Sequence, residues 1–354
     1  MSKRILVVGS LAKGALEHSY ISAAKELGYH IESFDPAQEQ AVYIKGGILG
    51  RKLHAFLPVE QWMRKMNRNL VLRARSYQPD ILLLFTNVRV LPGTLACIKT
   101  ILPSMKLVWI WPDTPLNLEK HNFVNGKLAD LTATYSEASV PVFKKLDFSN
   151  VHWVPLAADP HMHRVNGFPN DFSTDIGFVG GWRPERERVM AILCDAFPQL
   201  NIAIHGPYWH RECKHAGVKQ KIKSEGLYEK SLAAFFNSAR ININIIDDTN
   251  YPAANMRFFE VPVAGGLQVS SSCPEQEKIF EHRRDIIYYK DEAKILDEVK
   301  WVMAHPEEAT AIRVSASKLV LNSQCYKHRL EYILTEVDRI TGEKIRRYIF
   351  SLKP

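Results

Sequence analysis

Twice along the chain, short β-prone runs ending in glycine or a turn former alternate with stretches of helical apolar spacing. In the first half these runs are Arg4–Val8, His30–Phe34, Ile81–Phe85, Lys106–Trp111, Leu131–Tyr135 and Val151–Pro155. In the second they are Ile176–Val179, Asn201–His205, Ile241–Ile246, Val269 and Ile286–Tyr288. Strands separated by helices pair in parallel, and a doubly covered parallel strand reads as a nearly continuous apolar run. The pattern predicts an α/β protein with two doubly wound domains, at residues 1–159 and 175–330. Between them Pro160–Thr174 (PHMHRVNGFPNDFST) lacks periodicity and reads as a linker. The tail, 331–354, is mostly helical in pattern and can pack back across the first domain. A length of 354 residues is enough for two separate cores.

Hydrophobic residues at 46% and charged residues at 24% exclude a disordered chain. The formal charge of +8 suits an anionic partner such as a phosphate-bearing small molecule, a membrane surface or a nucleic acid. No nucleic-acid-binding motif accompanies the charge, so no nucleic acid is expected. Five dispersed cysteines without a CxxC pair point to a reducing compartment and away from a zinc site, and no metal is expected. The opening MSKRILVVGS reads as a first strand rather than a signal peptide, and no run reaches the ~20 apolar residues of a membrane span. The expected location is cytoplasmic, peripheral to a membrane at most. That membrane option comes from residues 45–75. There Leu53, Phe56, Leu57, Met63, Met66, Leu70 and Ala74 recur near helical spacing, with a break expected at Pro58. Arg51, Lys52, Arg64, Lys65, Arg68, Arg73 and Arg75 stand among them with one acid, Glu60. Such a helix either packs on a core with a solvated basic face or lies on an anionic bilayer or acidic acceptor.

In an open parallel sheet the loops after the strands' carboxyl ends line the ligand crevice. The first such loop holds Gly9, Ser10 and Gly14, but GSLAKG lacks the G-x-G-x-x-G spacing of a dinucleotide site. Its backbone N–H groups suit an anion or polar substrate on the acceptor side. Asp113, in Pro112-Asp113-Thr114-Pro115, is placed either for chemistry or as an Asx-type turn. His161 and His163 have no carboxylate or cysteine nearby in sequence, so no metal role is expected of them. The second half brings Gly180-Gly181-Trp182-Arg183, Gly206-Pro207 and Asp247-Asp248-Thr249-Asn250 to strand ends. The most informative stretch is Asn255–Ser270, NMRFFEVPVAGGLQVS. It reads as an apolar helix closing at Gly265-Gly266, with one carboxylate, Glu260, inside it. Burying that carboxylate costs several kcal/mol without a polar partner, so it either faces solvent or is paired.

Asp175-Ile176-Gly177-Phe178-Val179-Gly180, Asn255-Met256-Arg257-Phe258-Phe259-Glu260, Ala264-Gly265-Gly266, Ile286-Ile287-Tyr288-Tyr289, His305-Pro306-Glu307 and Cys325-Tyr326-Lys327-His328-Arg329 occur in that order. Over roughly residues 175–335 the chain resembles CgeB-like glycosyltransferases of the two-Rossmann, or GT-B, class. The first domain resembles them only in layout and in the Trp-Pro-Asp turn at 111–113. The resemblance implies two Rossmann-like domains facing across a cleft and metal-independent transfer, with a hexosyl group the expected cargo. It implies a nucleotide-diphosphate sugar as co-substrate, no other cofactor, and an acceptor that is a glycan, lipid or protein. Glu260 would accept the ribose hydroxyls, since two carboxylate oxygens suit a vicinal diol. Arg183, Arg257 and the N–H groups ahead of the Asn255 helix would face the diphosphate, with Gly181, Gly206 and Asp248 lining the same site. One position departs: where many retaining relatives carry a second glutamate, eight residues before the first, this chain has Pro252. Asp247, Asp248 or Asn255 would then replace that contact. An inverting reaction needs a base, for which Asp113 and His18 are the candidates. A nucleotide-sugar epimerase or hydrolase of the same fold, or a non-catalytic module of cell-surface or spore assembly, are the alternatives.

Overall fold

The computed structural model describes residues 2–44, 47–56, 60–85, 89–169 and 171–342. It divides into two compact units, the second spanning Pro155–Arg329 and the first holding the residues up to Val154 together with the last helix from Leu330 onward.

The first unit carries six parallel strands: β1 (Arg4–Val8), β2 (His30–Phe34), β3 (Ile81–Phe85), β4 (Lys106–Trp111), β5 (Leu131–Thr134) and β6 (Val151–Trp153). Their order is β2-β1-β3-β4-β5-β6. Every residue of β3 is buried, as a central strand covered on both faces requires. Trp109 stacks on Trp111 and meets Phe143 edge-on, filling the space under the helices. The segment expected to break at Pro58 forms two helices, Gly47–Phe56 and Glu60–Tyr77, and Pro58 itself lies outside the described residues.

The second unit repeats the plan with β7 (Thr174–Val179), β8 (Ile202–His205), β9 (Ile222–Ser224), β10 (Ala239–Asn244), β11 (Gln268–Ser271) and β12 (Ile287–Tyr289). The order is β12-β11-β10-β7-β8-β9, all parallel. β10 pairs with β7 in the register Ile241↔Ile176 and Ile243↔Phe178, and these four side chains join one core. The spacing predicts β10 over Ile241–Ile246, two residues beyond where it ends. Past Asn244 the backbone leaves the ladder, and the Ile246 N–H turns to the Ser271 hydroxyl at 2.9 Å.

Pro160–His163, expected within a linker, is a short helix whose first turn is capped by the Asp159 carboxylate accepting from the His161 N–H at 2.9 Å. The last described helix, Tyr326–Thr341, begins in the second unit and continues in the first. There the Tyr332 hydroxyl lies 2.9 Å from His152 Nδ1 and Asp338 pairs with Lys3. Residues 343–354 of the expected tail helix lie outside the described residues. Among the described residues no helix is long and apolar enough to cross a membrane.

Candidate functional site

A crevice forms in an open parallel sheet where the winding reverses, because the loops after the two neighbouring strands leave toward opposite faces. In the second unit the reversal falls between β7 and β10. The first loop there holds Gly180-Gly181 and the second holds Asp247. Gly206, after β8, has φ +154°, and a Cβ there would lie 1.9 Å from the Gly180 carbonyl oxygen, so only glycine lets the two loops cross.

The helix Arg257–Val263 runs next to this point, and Glu260 on it is 2% exposed. Arg257 and Glu260 stand three residues apart on one helical face and form an ion pair through Oε2. Glu260 Oε1 lies 3.8 Å from Nε2 of the buried His163. Arg257 Nε also donates to the Val179 carbonyl at 3.3 Å, which fixes the pair to the end of β7. Gln268 Nε2 donates to the Arg257 carbonyl at 2.8 Å. Asn255 donates to Asn244 Oδ1 at 2.8 Å and accepts the Phe258 N–H at 3.3 Å, so it ties the helix start to the end of β10.

A second ion pair lies across the same reversal, with its carboxylate buried. Arg186 donates to Asp247 Oδ2 at 2.6 Å and to the Gly181 carbonyl at 2.7 Å. Asp247 is 2% exposed and also accepts from the Thr249 hydroxyl at 2.6 Å and Asn250 Nδ2 at 2.8 Å. Burial alone would raise its pKa, but the bonds from Thr249 and Asn250 and the charge of Arg186 outweigh it and hold the carboxyl below its ordinary range. Asp248, the neighbour singled out from sequence, is exposed. Arg186 feels the positive charges of both Arg183 and Arg257. The reversal point therefore gathers three guanidinium groups, of which Arg183 is exposed at the start of the helix Pro184–Ala196.

His163 and Arg186 were not among the site residues expected from sequence. His163 sits in a short helix without periodicity, and only its separation from Glu260 in space gives it meaning. Arg186 follows Arg183 by three residues, one helical turn, and that spacing is the signal that could have found it. Pro252 is half-buried after a cis peptide bond with Tyr251.

In the first unit, the N–H groups expected to face an anion are bonded to the chain's own carboxylates. Glu17 Oε1 accepts from Ser10 N at 2.6 Å, and Asp35 Oδ2 accepts from Leu11 N at 2.7 Å. A Cβ at Gly9 would collide with Glu17 at 2.3 Å, while Gly14 is exposed with φ +79°. Burial raises the Glu17 pKa, against the opposing bond from Ser10. His18 Nε2 lies 3.1 Å from the Leu11 carbonyl; a carbonyl only accepts, so Nε2 is the donor, which in a neutral imidazole leaves the lone pair on Nδ1. Asp113 accepts from Thr114 N at 2.7 Å and from Asn117 Nδ2 at 2.9 Å, and neither is the N–H two residues on that an Asx-type turn uses; that bond is made by the Thr114 hydroxyl, which accepts from Leu116 N at 3.4 Å.

Two cavities in the second unit lie apart from Glu260. One of about 480 Å³ opens beside Arg240 and Leu267, at the starts of β10 and β11, and one of about 640 Å³ lies beside β12. The strand ends rather than these cavities carry the charged pairs Arg186–Asp247 and Arg257–Glu260, at the position where ligands bind in open parallel sheets. Among the described residues no three His, Cys, Asp or Glu side chains gather as metal ligands do. Burial pushes the Cys194 and Cys213 thiols up to about 11 and that of Cys273 up to about 12, so none of these is a nucleophile at neutral pH.

Residues 186–335 match the family model described as glycosyl transferase-like. No curated protein matches the sequence. Solved structures with this fold include a glycosyltransferase from Rickettsia africae, 12% identical, with 97% of this chain and 100% of that one covered at a TM-score of 0.65. HepE of Anabaena in complex with UDP-glucose is 14% identical, with 95% and 100% covered and a TM-score of 0.65. A UDP-N-acetylglucosamine 2-epimerase is 11% identical, with 98% and 100% covered and a TM-score of 0.55. Residues 186–335 are thus similar to a glycosyl transferase-like domain, in a chain that has the two-Rossmann GT-B fold.

Proposed function

We propose that the chain transfers a sugar from a nucleotide-diphosphate donor, a uridine one in the first instance, to an acceptor hydroxyl. The observation that carries this reading is the buried Glu260 at the winding reversal, paired with the half-buried Arg257 that is tied to the Val179 carbonyl, with their helix inside the glycosyl transferase-like segment. The UDP-glucose bound by HepE supports the choice of base.

In the transfer, the acceptor oxygen bonds to the anomeric carbon as the bond from that carbon to the diphosphate oxygen breaks. The acceptor's proton leaves to a base, and the diphosphate departs with the negative charge. Arg183, Arg186 and Arg257 offer positive charge to that leaving group, the contribution a divalent ion makes in other transferases. Glu260 holds the ribose: two carboxylate oxygens accept from two hydroxyls, each bond contributing about 1.5–3 kcal/mol. Without a nucleotide, one of those oxygens is held by Arg257 and the other faces His163. Donor binding then moves Arg257 from the carboxylate to phosphate while Glu260 takes the diol. Asp113 and His18 are the proposed bases. Of the two, His18 is the better suited, since its bond to the Leu11 carbonyl runs through Nε2 and leaves Nδ1 as the accepting atom of a neutral imidazole, while both Asp113 oxygens already accept bonds.

The fold is also that of an epimerase, so the reaction is assigned by its product. Incubating the protein with UDP-sugars and a panel of acceptors should release UDP only with acceptor present. Conversion to an epimeric UDP-sugar without acceptor would favour the epimerase, and failure to bind any nucleotide would favour a non-catalytic module.

A further inference from the structure

The apolar spacing across residues 45–75 separates into two different surfaces. On the helix Glu60–Tyr77, Met66, Leu70 and Ala74 are buried in the first unit's core, so that stripe is structural. On the preceding segment the aliphatic side chains face outward: Val42 is 78% exposed, Ile48 74%, Leu49 72% and Leu53 57%. Leu49 and Leu53 lie one turn apart on the helix Gly47–Phe56, and the exposed Lys52 lies one turn from Ile48. Lys65 on the next helix stands 5.5 Å over the ring of Tyr43, which puts a second cation on the residue that follows Val42. Between Glu39 and Glu60 the sequence has no acid but contains Lys45, Arg51, Lys52 and His54.

Large aliphatic side chains clustered at this exposure are unusual on a water-facing surface. Their mixture with cations and the lack of an acidic residue give the segment the charge and apolarity of an interfacial helix. We infer that the helix Gly47–Phe56 docks on an anionic lipid surface, with Ile48, Leu49 and Leu53 at the acyl boundary and Lys52 and Lys65 against headgroup phosphates. Attraction by the exposed Arg68 adds to the approach and weakens with salt, whereas Arg64 is paired with Glu60 at 2.7 Å. The inference stands apart from the donor site, which lies in the other unit.

The test is flotation of the full chain with phosphatidylcholine vesicles, with and without phosphatidylglycerol. The wild type should float with the anionic vesicles and stay down with the neutral ones. The triple variant Ile48→Ser, Leu49→Ser, Leu53→Ser should lower the partition coefficient by about tenfold or more. Because these side chains are exposed, its thermal midpoint and UDP affinity should match the wild type. Lys52→Glu should lower partition at low salt and leave little difference at high salt. Equal flotation with neutral vesicles, or a triple variant that floats like the wild type, would overturn the inference. So would a wild type that ignores both vesicles and forms a dimer which the triple variant abolishes.

Discussion

The guanidinium of Arg257 joins the Glu260 carboxylate on its own helix to the Val179 carbonyl at the end of β7, the latter at 3.3 Å. One side chain thus holds a buried acid at the place where the sheet reverses its winding. A cation that already bonds a carboxylate and a carbonyl is preorganised for phosphate, because the geometry that suits one oxygen anion suits the other.

Arg257→Met should be destabilising, since it leaves Glu260 buried with His163 as its remaining charged partner among the described residues. Removing one partner of a buried pair costs about 3–5 kcal/mol, and the partial exposure of Arg257 places this case at the low end. Urea unfolding measures it. Arg257→Lys should restore part of the stability and less of the UDP affinity, because an ammonium cannot reach carboxylate, carbonyl and phosphate with a planar fork.

Asp247→Asn should cost about 1–3 kcal/mol at neutral pH by leaving Arg186 without its counter-charge. The pKa of Asp247 is lowered from 3.8 on folding, so its ionisation stabilises the protein above that value and the contribution is lost as pH falls below it. Wild type and variant should therefore converge in urea unfolding as pH falls from 3.8 through the lower folded value. A constant gap between them across that range would contradict the assignment.

Glu17 has the opposite sign. Its pKa is raised from 4.5 by burial, so the charged form opposes folding, and this part of the stability is lost as pH rises from 4.5 through the folded value. Glu17→Gln keeps an oxygen for the Ser10 N–H and should be neutral or stabilising at pH 7, with the benefit gone below pH 4.5. Glu17→Ala, which strands that N–H, should cost about 1–3 kcal/mol. Thermal midpoints across pH check both.

Arg313→Met should be among the most damaging changes away from the site. Arg313 is buried and donates to the Gly265, Pro169 and Asn237 carbonyls at 2.7, 3.1 and 3.2 Å, joining the end of the Glu260 helix to the segment that carries His163. Burial pushes its pKa down to about 10, still well above neutrality. Losing it strands three carbonyls, at about 3 kcal/mol or more in urea unfolding.

The sheets were legible because buried parallel strands leave a direct apolar record, and β3 and β4 fall within the runs that predict them. Glu260 was legible as a carboxylate needing a partner, since six apolar neighbours surround it in sequence. The end of β10 was not: Ile245 and Ile246 continue the apolar run after the ladder has stopped, because Ser271 takes the Ile246 N–H. That same loop buries Asp247 and exposes Asp248, a choice made by Arg186 from another element. The helix at Pro160 is too short for periodicity, although Asp159-Pro160 is a cap followed by a first-turn proline. In the basic segment, spacing reveals a stripe but not what it meets, so core-facing Met66 and outward Leu53 look alike in sequence.

The measurement that bears most directly on the donor site is calorimetric titration of UDP into wild type and Glu260→Gln, each shown to be folded by its thermal midpoint. Glutamine keeps the shape but offers one accepting oxygen without charge, so the affinity should fall by about tenfold or more. Equal affinities in two folded proteins would contradict a ribose-binding role for Glu260.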